Sequence, residues 1–269
     1  MAAAESRALN VQAYLRRIRF DATPGPNLEG LRALQVAHLE TVPFENLDIH
    51  LGRPIVLDEA AFFDKIVRRG RGGFCFELNG LFAALLRSIG FRVTMLSAGV
   101  RDADGTYSPD LDHMTLLVEL EDRWLADVGF GDSFREPLRF DYAGEQVQDG
   151  RPYRIVHDGN TGSMSVQKES GTTGGYRFSL RPRALVDYTG RCNYLQTSPE
   201  STFTQRIICS RATPTGRVTI ANQRLIVSDR GVRTERDLRD AEWRAAFTEH
   251  FGVPSADAQA LRPVAAVGD

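Results

Sequence analysis

The hydrophobic spacing of the chain changes at Gly90, and this change decides its fold class. Before it, apolar residues recur at helical intervals. The clearest run is Leu78, Leu81, Phe82, Leu85, Leu86 and Ile89, at i, i+3, i+4, i+7, i+8 and i+11, with Gly90 as its stop. Upstream, Val11, Tyr14, Leu15 and Ile18 predict one helix, and DATPGP (Asp21 to Pro26) breaks the chain after it. Asn27 then caps a helix with Leu28, Leu31 and Leu34 on one face. Asp58 caps another, which carries Phe62, Phe63, Ile66 and Val67 and ends in the glycine-rich RRGRGG.

From Phe91 the pattern becomes short runs of β-branched and aromatic residues, parted by Gly, Asp, Asn and Pro. FRVTMLSAGV, HMTLLVEL, RWLADVGF, YRIVHDG, SMSVQKE and GYRFSL predict an antiparallel sheet or barrel. FTQRIICS, RVTIAN and RLIVSD read as further strands. Trp243, Phe247 and Phe251 then mark a helix closed by Gly252 and Pro254. The Ala-rich segment from Ser255 is expected to be loosely held. The chain reads as α+β in three parts: a helical bundle over 1–90, an antiparallel β-barrel over 91–195 and a smaller α/β region over 196–269.

Composition narrows the function classes. A chain of 269 residues, 42% hydrophobic and 25% charged, has the balance of a soluble globular protein. A formal net charge of -2 gives no reason to expect nucleic acid or an anionic membrane as partner. Nearly all basic residues are Arg, with Lys only at Lys65 and Lys168; this reads as codon bias rather than a phosphate-binding face. MAAAESRALN lacks the basic-then-apolar order of a secretory signal, and no apolar run approaches the roughly 20 residues that cross a bilayer. Three cysteines, none in a C-x-x-C pair, fit a reducing cytoplasm rather than a disulfide framework. No H-E-x-x-H spacing occurs, so no metal is expected.

Cys75 stands apart from Cys192 and Cys209. In RGGFCFELNG it follows a Gly-Gly pair and opens the strongest helix. A thiol reacts as its thiolate, and a helix N-terminus favours the anion. Gly72 and Gly73 are expected to adopt conformations closed to other residues. The plain alternative is a buried packing cysteine. Among the five histidines, His38 reads as structural on a helix face, whereas His113 opens a strand. Asp127 lies near the end of the next strand, flanked by Ala126 and Val128. A three-residue loop at Leu120 to Asp122 sets Asp127 opposite Thr115, on the face that His113 shares. A two-residue turn puts His113 and Asp127 on opposite faces. Cys, His and Asp together fit a nucleophile, its base and an orienter. Taken alone, Asp127 also fits a turn before Gly129 and Gly131.

RGGFCFELN, DHMTLLVEL and LADVGFG, with VPFENLDIH (Val42 to His50) upstream and SPESTFTQ (Ser198 to Gln205) downstream, resemble the arylamine N-acetyltransferases. The resemblance runs in order from Tyr14 to about Val227. It implies a cysteine-protease-like fold with a helical domain, a β-barrel and an α/β lid. It also implies acetyl transfer from acetyl-CoA, as donor substrate, to an arylamine or hydrazine by a ping-pong route. Carried over, Cys75 is the acetylated nucleophile, His113 the base and Asp127 its orienter. Arg71 and Glu45 match a structural ion pair. Phe44, Val100, Phe130 and Phe203 match apolar positions of the acceptor pocket. Gly129 and Gly131, around Phe130, match a place where the pantetheine arm enters. The chain lacks the long insertion of vertebrate members, which implies a bacterial, cytoplasmic enzyme of xenobiotic metabolism. Three rivals remain. One is an amide synthase closing a macrolactam by the same chemistry. Another is a transglutaminase- or cysteine-peptidase-like hydrolase, although the papain C-G-[SA]-C-[WY] signature is absent. The third is a binding protein with an inert triad.

Overall fold

In a computed structural model, which describes residues 9–167 and 173–264, three helices start as their side chains direct. Asn10, Asn27 and Asp58 accept the backbone N–H groups of Ala13, Gly30 and Ala61 at 3.0, 2.9 and 2.9 Å. Each satisfies one donor that a helix start leaves open. They open the helices Val11–Arg17, Leu28–Thr41 and Glu59–Phe63, the last continuing as a π-helical turn over Asp64–Arg68. The Cys75–Ile89 helix has no capping oxygen on Phe74; instead Glu77 reaches back to the Phe74 N–H at 3.1 Å. Every residue from Cys75 to Leu86 is buried, so this helix is packed on all sides. Gly90 ends it in the left-handed region, at φ 112°.

His38 lies wholly inside this bundle, where its Nδ1 and the Tyr14 hydroxyl share a hydrogen bond of 2.7 Å. Burial, and secondarily the Arg17 charge, pushes His38 down to about 3. The folded state therefore holds His38 neutral, and its contribution is complete above the unfolded value near 6.5. That contribution is lost as pH falls from there towards 3. Linkage gives a loss of roughly 2 kcal/mol between pH 7 and pH 5 from this group. Urea midpoints at the two pH values check it: a His38→Gln variant should show the smaller pH dependence.

Among the described residues, the strands form two sheets whose pairs are all antiparallel. The eight-stranded sheet runs in the order Leu138–Arg139, Arg123–Ala126, His113–Glu119, Arg92–Val100, Thr173–Arg183, Thr161–Gln167, Arg151–His157 and Gln146–Gln148. Glutamine side chains join its two end strands. Gln146 bonds both the N–H and the carbonyl of Arg139, at 2.7 and 3.0 Å. Gln148 does the same to Glu136, at 2.9 Å each way. The sheet is thus a nearly closed barrel whose edges are covered. The strand-like run SMSVQKE ends at Gln167; Lys168 and Glu169 lie outside the described residues.

The central strands are buried on both faces. In HMTLLVE, Met114, Leu116 and Val118 pack on the helices, while Leu117 faces the barrel interior with Leu96, Leu125 and Phe178. That explains a nearly unbroken apolar run in an antiparallel sheet. The second sheet, of five strands, pairs Phe44–Glu45 with Ile208–Thr213, followed by Gly216–Ala221, Arg224–Asp229 and Val232–Asp237. The Asp240–Phe251 helix packs Trp243 and Phe247 against one side of it.

Two expectations change, and one further strand appears. FTQ does not belong to a strand: Thr202–Gln205 is a helical turn opened by Ser201, whose hydroxyl accepts from Phe203 N–H at 3.2 Å. VRTERD forms an edge strand that has no apolar face and is exposed throughout. The segment from Ser255 is helical to Ala260 and anchored, with Ala258 and Leu261 buried.

Candidate active site

The loop before Cys75 is held from two sides. Arg17 donates to the carbonyls of Ile66, Thr41, Gly70 and Arg71 at 2.8 to 3.2 Å. Glu45 N–H bonds the Gly73 carbonyl at 2.8 Å, and Gly73 N–H bonds that of Pro43 at 3.3 Å. Neither Gly72 nor Gly73 has a positive φ, so unusual conformation is not why they are glycines. Space is the reason. A Cβ on Gly72 would lie 2.1 Å from the Pro43 oxygen, and one on Gly73 2.9 Å from Glu77 Cβ.

Beneath the loop lies a buried charge network. Arg71 donates through Nε and Nη2 to Glu45 Oε1, at 3.1 and 2.8 Å, and through Nη2 to Asp48 at 3.1 Å. Its Nη1 reaches Asp257 of the C-terminal helix, which also accepts two bonds from Arg53. Lys65 bonds both Glu77 oxygens, at 2.9 and 3.0 Å, and Asp48 at 2.9 Å. Burial pushes the Lys65 ammonium down, but Glu45, Glu77 and Asp48 outweigh it and hold it above its ordinary value. Burial likewise pushes Asp48 up, and Lys65 and Arg71 more than reverse this. The Glu45–Arg71 pair is therefore one link in a network that ties three parts of the chain to the Cys75 loop.

The hairpin settles its register through a three-residue loop, Leu120 to Asp122. Glu119 pairs with Arg123, Val118 with Trp124 and Leu116 with Ala126, so Asp127 continues on the face of Thr115 and His113. His113 Nε2 and Asp127 Oδ2 are 2.7 Å apart and buried. Asp127 Oδ1 accepts from Asn79 Nδ2 and Gly129 N–H, each at 2.9 Å. A carboxylate surrounded by donors acts only as an acceptor. The proton between the pair then belongs to His113 Nε2, which leaves Nδ1 as the basic ring nitrogen. Phe130 and Tyr176 flank the imidazole, their ring centroids 5.1 and 5.0 Å away.

Sequence reasoning gave no role to Asn79, Gln35 or Tyr176. Asn79 is one helical turn beyond Cys75 and wholly buried. Besides Asp127, it donates to the Met114 carbonyl at 2.6 Å and accepts from Val128 N–H at 2.9 Å. One side chain thus joins the Cys75 helix to both strands of the hairpin. The i+4 spacing in CFELN was its only signal. Gln35 accepts from Asp127 N–H at 3.2 Å, across 92 residues of chain.

Cys75 is buried, with Sγ 3.8 Å from the Asp112 carbonyl oxygen. Burial pushes its thiol well up, and Asp112 and Asp127 push the same way. This reverses the lowering expected from the helix N-terminus: desolvation outweighs the dipole here. Gly129 packs directly on this point. A Cβ there would lie 2.8 Å from Cys75 Cα and 2.7 Å from Asn79 Nδ2.

A cavity of about 1070 Å³ opens at Cys75 and His113. Phe44, Val100, Gly129, Phe130, Gly131 and Phe203 also line it, while Asp127, Glu45 and Arg71 lie behind its wall. Phe203 is 6.1 Å from Phe44 and 6.0 Å from Phe74, ring to ring. The opposite wall is the five-stranded sheet.

A family model described as N-acetyltransferase matches residues 27–259. The arylamine N-acetyltransferase of Escherichia coli (strain K12) is 34% identical over 91% of this chain and 89% of its own. That of Mycolicibacterium smegmatis is 34% identical over 93% and 94%. Among solved structures, the M. smegmatis arylamine N-acetyltransferase aligns with a TM-score of 0.87 at 31% identity, covering 96% of this chain and 100% of that one. The Mycobacterium marinum enzyme, solved in complex with CoA, aligns with a TM-score of 0.85 at 31% identity, over 93% and 94%. In sequence along most of its length and in fold alike, this chain belongs to the arylamine N-acetyltransferase family.

Proposed function

We propose that the protein moves an acetyl group from acetyl-CoA to an arylamine or arylhydrazine through an acetyl-Cys75 intermediate. One observation carries this reading: the buried His113–Asp127 pair stands behind a cavity that both Cys75 and His113 line. The family supports the reaction class, and a relative's complex with CoA supports the donor.

The high pKa of the thiol means that Cys75 does not ionise alone. Its proton passes to His113 Nδ1, and the resulting imidazolium is stabilised by the Asp127 carboxylate. The sulfur attacks the thioester carbonyl. The Phe74 N–H is occupied by Glu77, so the oxyanion donors are the remaining N–H groups of the helix's first turn. One such donor is worth roughly 3–4 kcal/mol in a comparable site. The bond from carbonyl carbon to the CoA sulfur breaks, and CoA leaves as the thiol with the proton from His113. A neutral aryl amine then attacks acetyl-Cys75. His113 takes the amine proton and returns it to the Cys75 sulfur. Phe44, Phe130 and Phe203 suit an aryl ring by burial and stacking.

Initial rates test the order of events. Double-reciprocal plots against acetyl-CoA, at several fixed arylamine concentrations, should give parallel lines. Intersecting lines would mean that both substrates occupy the enzyme before any product leaves.

A further inference from the structure

We infer that Arg191 is a positioning residue for the Cys75–His113 chemistry: it acts through Asp112, fixing the turn that meets the sulfur and cancelling the carboxylate charge beside it. The inference rests on the acyl-transfer reading above and adds what sets the pH at which the thiol is activated.

The turn at 110–112 leads straight into His113, and its shape is imposed from outside. Leu111 stands in the left-handed region, at φ 69°, a conformation that strains a residue with a Cβ. Such a conformation persists only where the surroundings hold it. Two arginines do so, one on each side. Arg183 donates through Nη2 to Asp110 at 2.9 Å and through Nε to the Ser97 hydroxyl at 3.2 Å. Arg191 donates through Nε to Asp112 Oδ1 at 2.6 Å. Leu111 itself packs against the helical core.

Arg191 is held in its turn. It lies on the helix Thr189–Thr197, with its guanidinium 4.2 Å from the centre of the Tyr194 ring on the same helix. The side chains of Arg191 and Asp112 are only 20% and 14% exposed, and both residues line the cavity with Cys75 and His113. A pair so sheltered is screened far less than one at the surface.

The turn presents two backbone groups to the sulfur. The Asp112 carbonyl, 3.8 Å from Sγ, is an acceptor and suits the thiol. The Met114 N–H, beyond His113, favours the thiolate. Burial does most to keep the thiol protonated; among the charges, Asp112 opposes the anion ahead of Asp127 and Cys192. The Tyr188 phenol lies within reach of the thiol's charge and Tyr176 packs on His113, and burial holds both phenols neutral. Arg191 is the cation paired with Asp112. Without it, a full negative charge stands beside both catalytic groups. Such a charge raises the proton affinity of thiolate and imidazole alike, so the acid-side midpoint of thiol reactivity rises whichever of the two holds the proton.

Iodoacetamide tests this, being small, uncharged and independent of any acyl donor. Its rate of reaction with Cys75 is measured against pH by mass analysis of the peptide containing that residue. Wild type should show an acid-side midpoint well below the value of about 8.5 for a free thiol. Arg191→Met should raise the midpoint by about one unit, the effect of one uncompensated neighbouring charge. Asp112→Asn leaves the guanidinium unopposed and should lower it. The double variant, Arg191→Met with Asp112→Asn, should return it to the wild-type value. Loss of shape alone produces no such reversal of sign. Wild-type midpoints in the folded single variants, or shifts in the same direction in both, overturn the inference and leave the acyl-transfer reading standing. If Arg191→Met fails to fold, Asp112→Asn decides by itself, and a midpoint that does not fall overturns the inference. A wild-type midpoint at the free-thiol value overturns both, because His113 then does not act on Cys75.

Discussion

Replacing Cys75 with alanine lowers acetyl transfer by at least about 10⁴-fold while the chain still folds. The activity loss follows because the acyl bond has no other place to form: Cys192 and Cys209 are buried and absent from the cavity lining. The fold survives because one sulfur atom is lost from a helix whose eleven following residues, Phe76 to Leu86, remain packed. Its cost is that of a small cavity, on the order of 1 kcal/mol. CoA release in the presence of an arylamine reads the first effect, and thermal unfolding reads the second. Turnover within tenfold of wild type would remove Cys75 from the chemistry.

Arg71→Met has the largest expected effect on stability, a loss of about 3–5 kcal/mol. The side chain is 1% exposed, and its removal leaves Glu45 and Asp48 buried with Lys65 as their main cation. Asp257 keeps Arg53 but loses its bond to the Cys75 loop. Removal of one partner from a buried pair costs far more than the pair itself contributes, because uncompensated charge stays inside. Denaturant midpoints measure the loss. Asp257→Asn should cost less, since its carboxylate is partly exposed and three other acidic groups stay in the network. A change below about 1 kcal/mol for Arg71→Met would show that the network relaxes around the gap.

The helices were legible because their signals are local. Asn27 and Asp58 cap where their side chains say they should, and the spacing from Leu78 to Ile89 marks a helix whatever packs on it. The strands were legible through β-branched runs, which is why VRTERD escaped notice: an exposed edge strand needs no apolar face. The Ser255 helix gives no local sign of being anchored, because Asp257 pairs with Arg53 and Arg71, far away in sequence. The hairpin register turned on a loop of two or three residues, a parity that composition does not encode. The direction of the Cys75 shift was also out of reach, since desolvation depends on what folds over the thiol.

The proposed route requires a covalent intermediate on one residue. Incubation of the protein with acetyl-CoA and no acceptor, followed by rapid acid quench and peptide mass analysis, tests it directly. One acetyl group is expected on the peptide containing Cys75, removed when an arylamine is added before the quench. An unmodified Cys75 peptide, or acetylation confined to other residues, would contradict it.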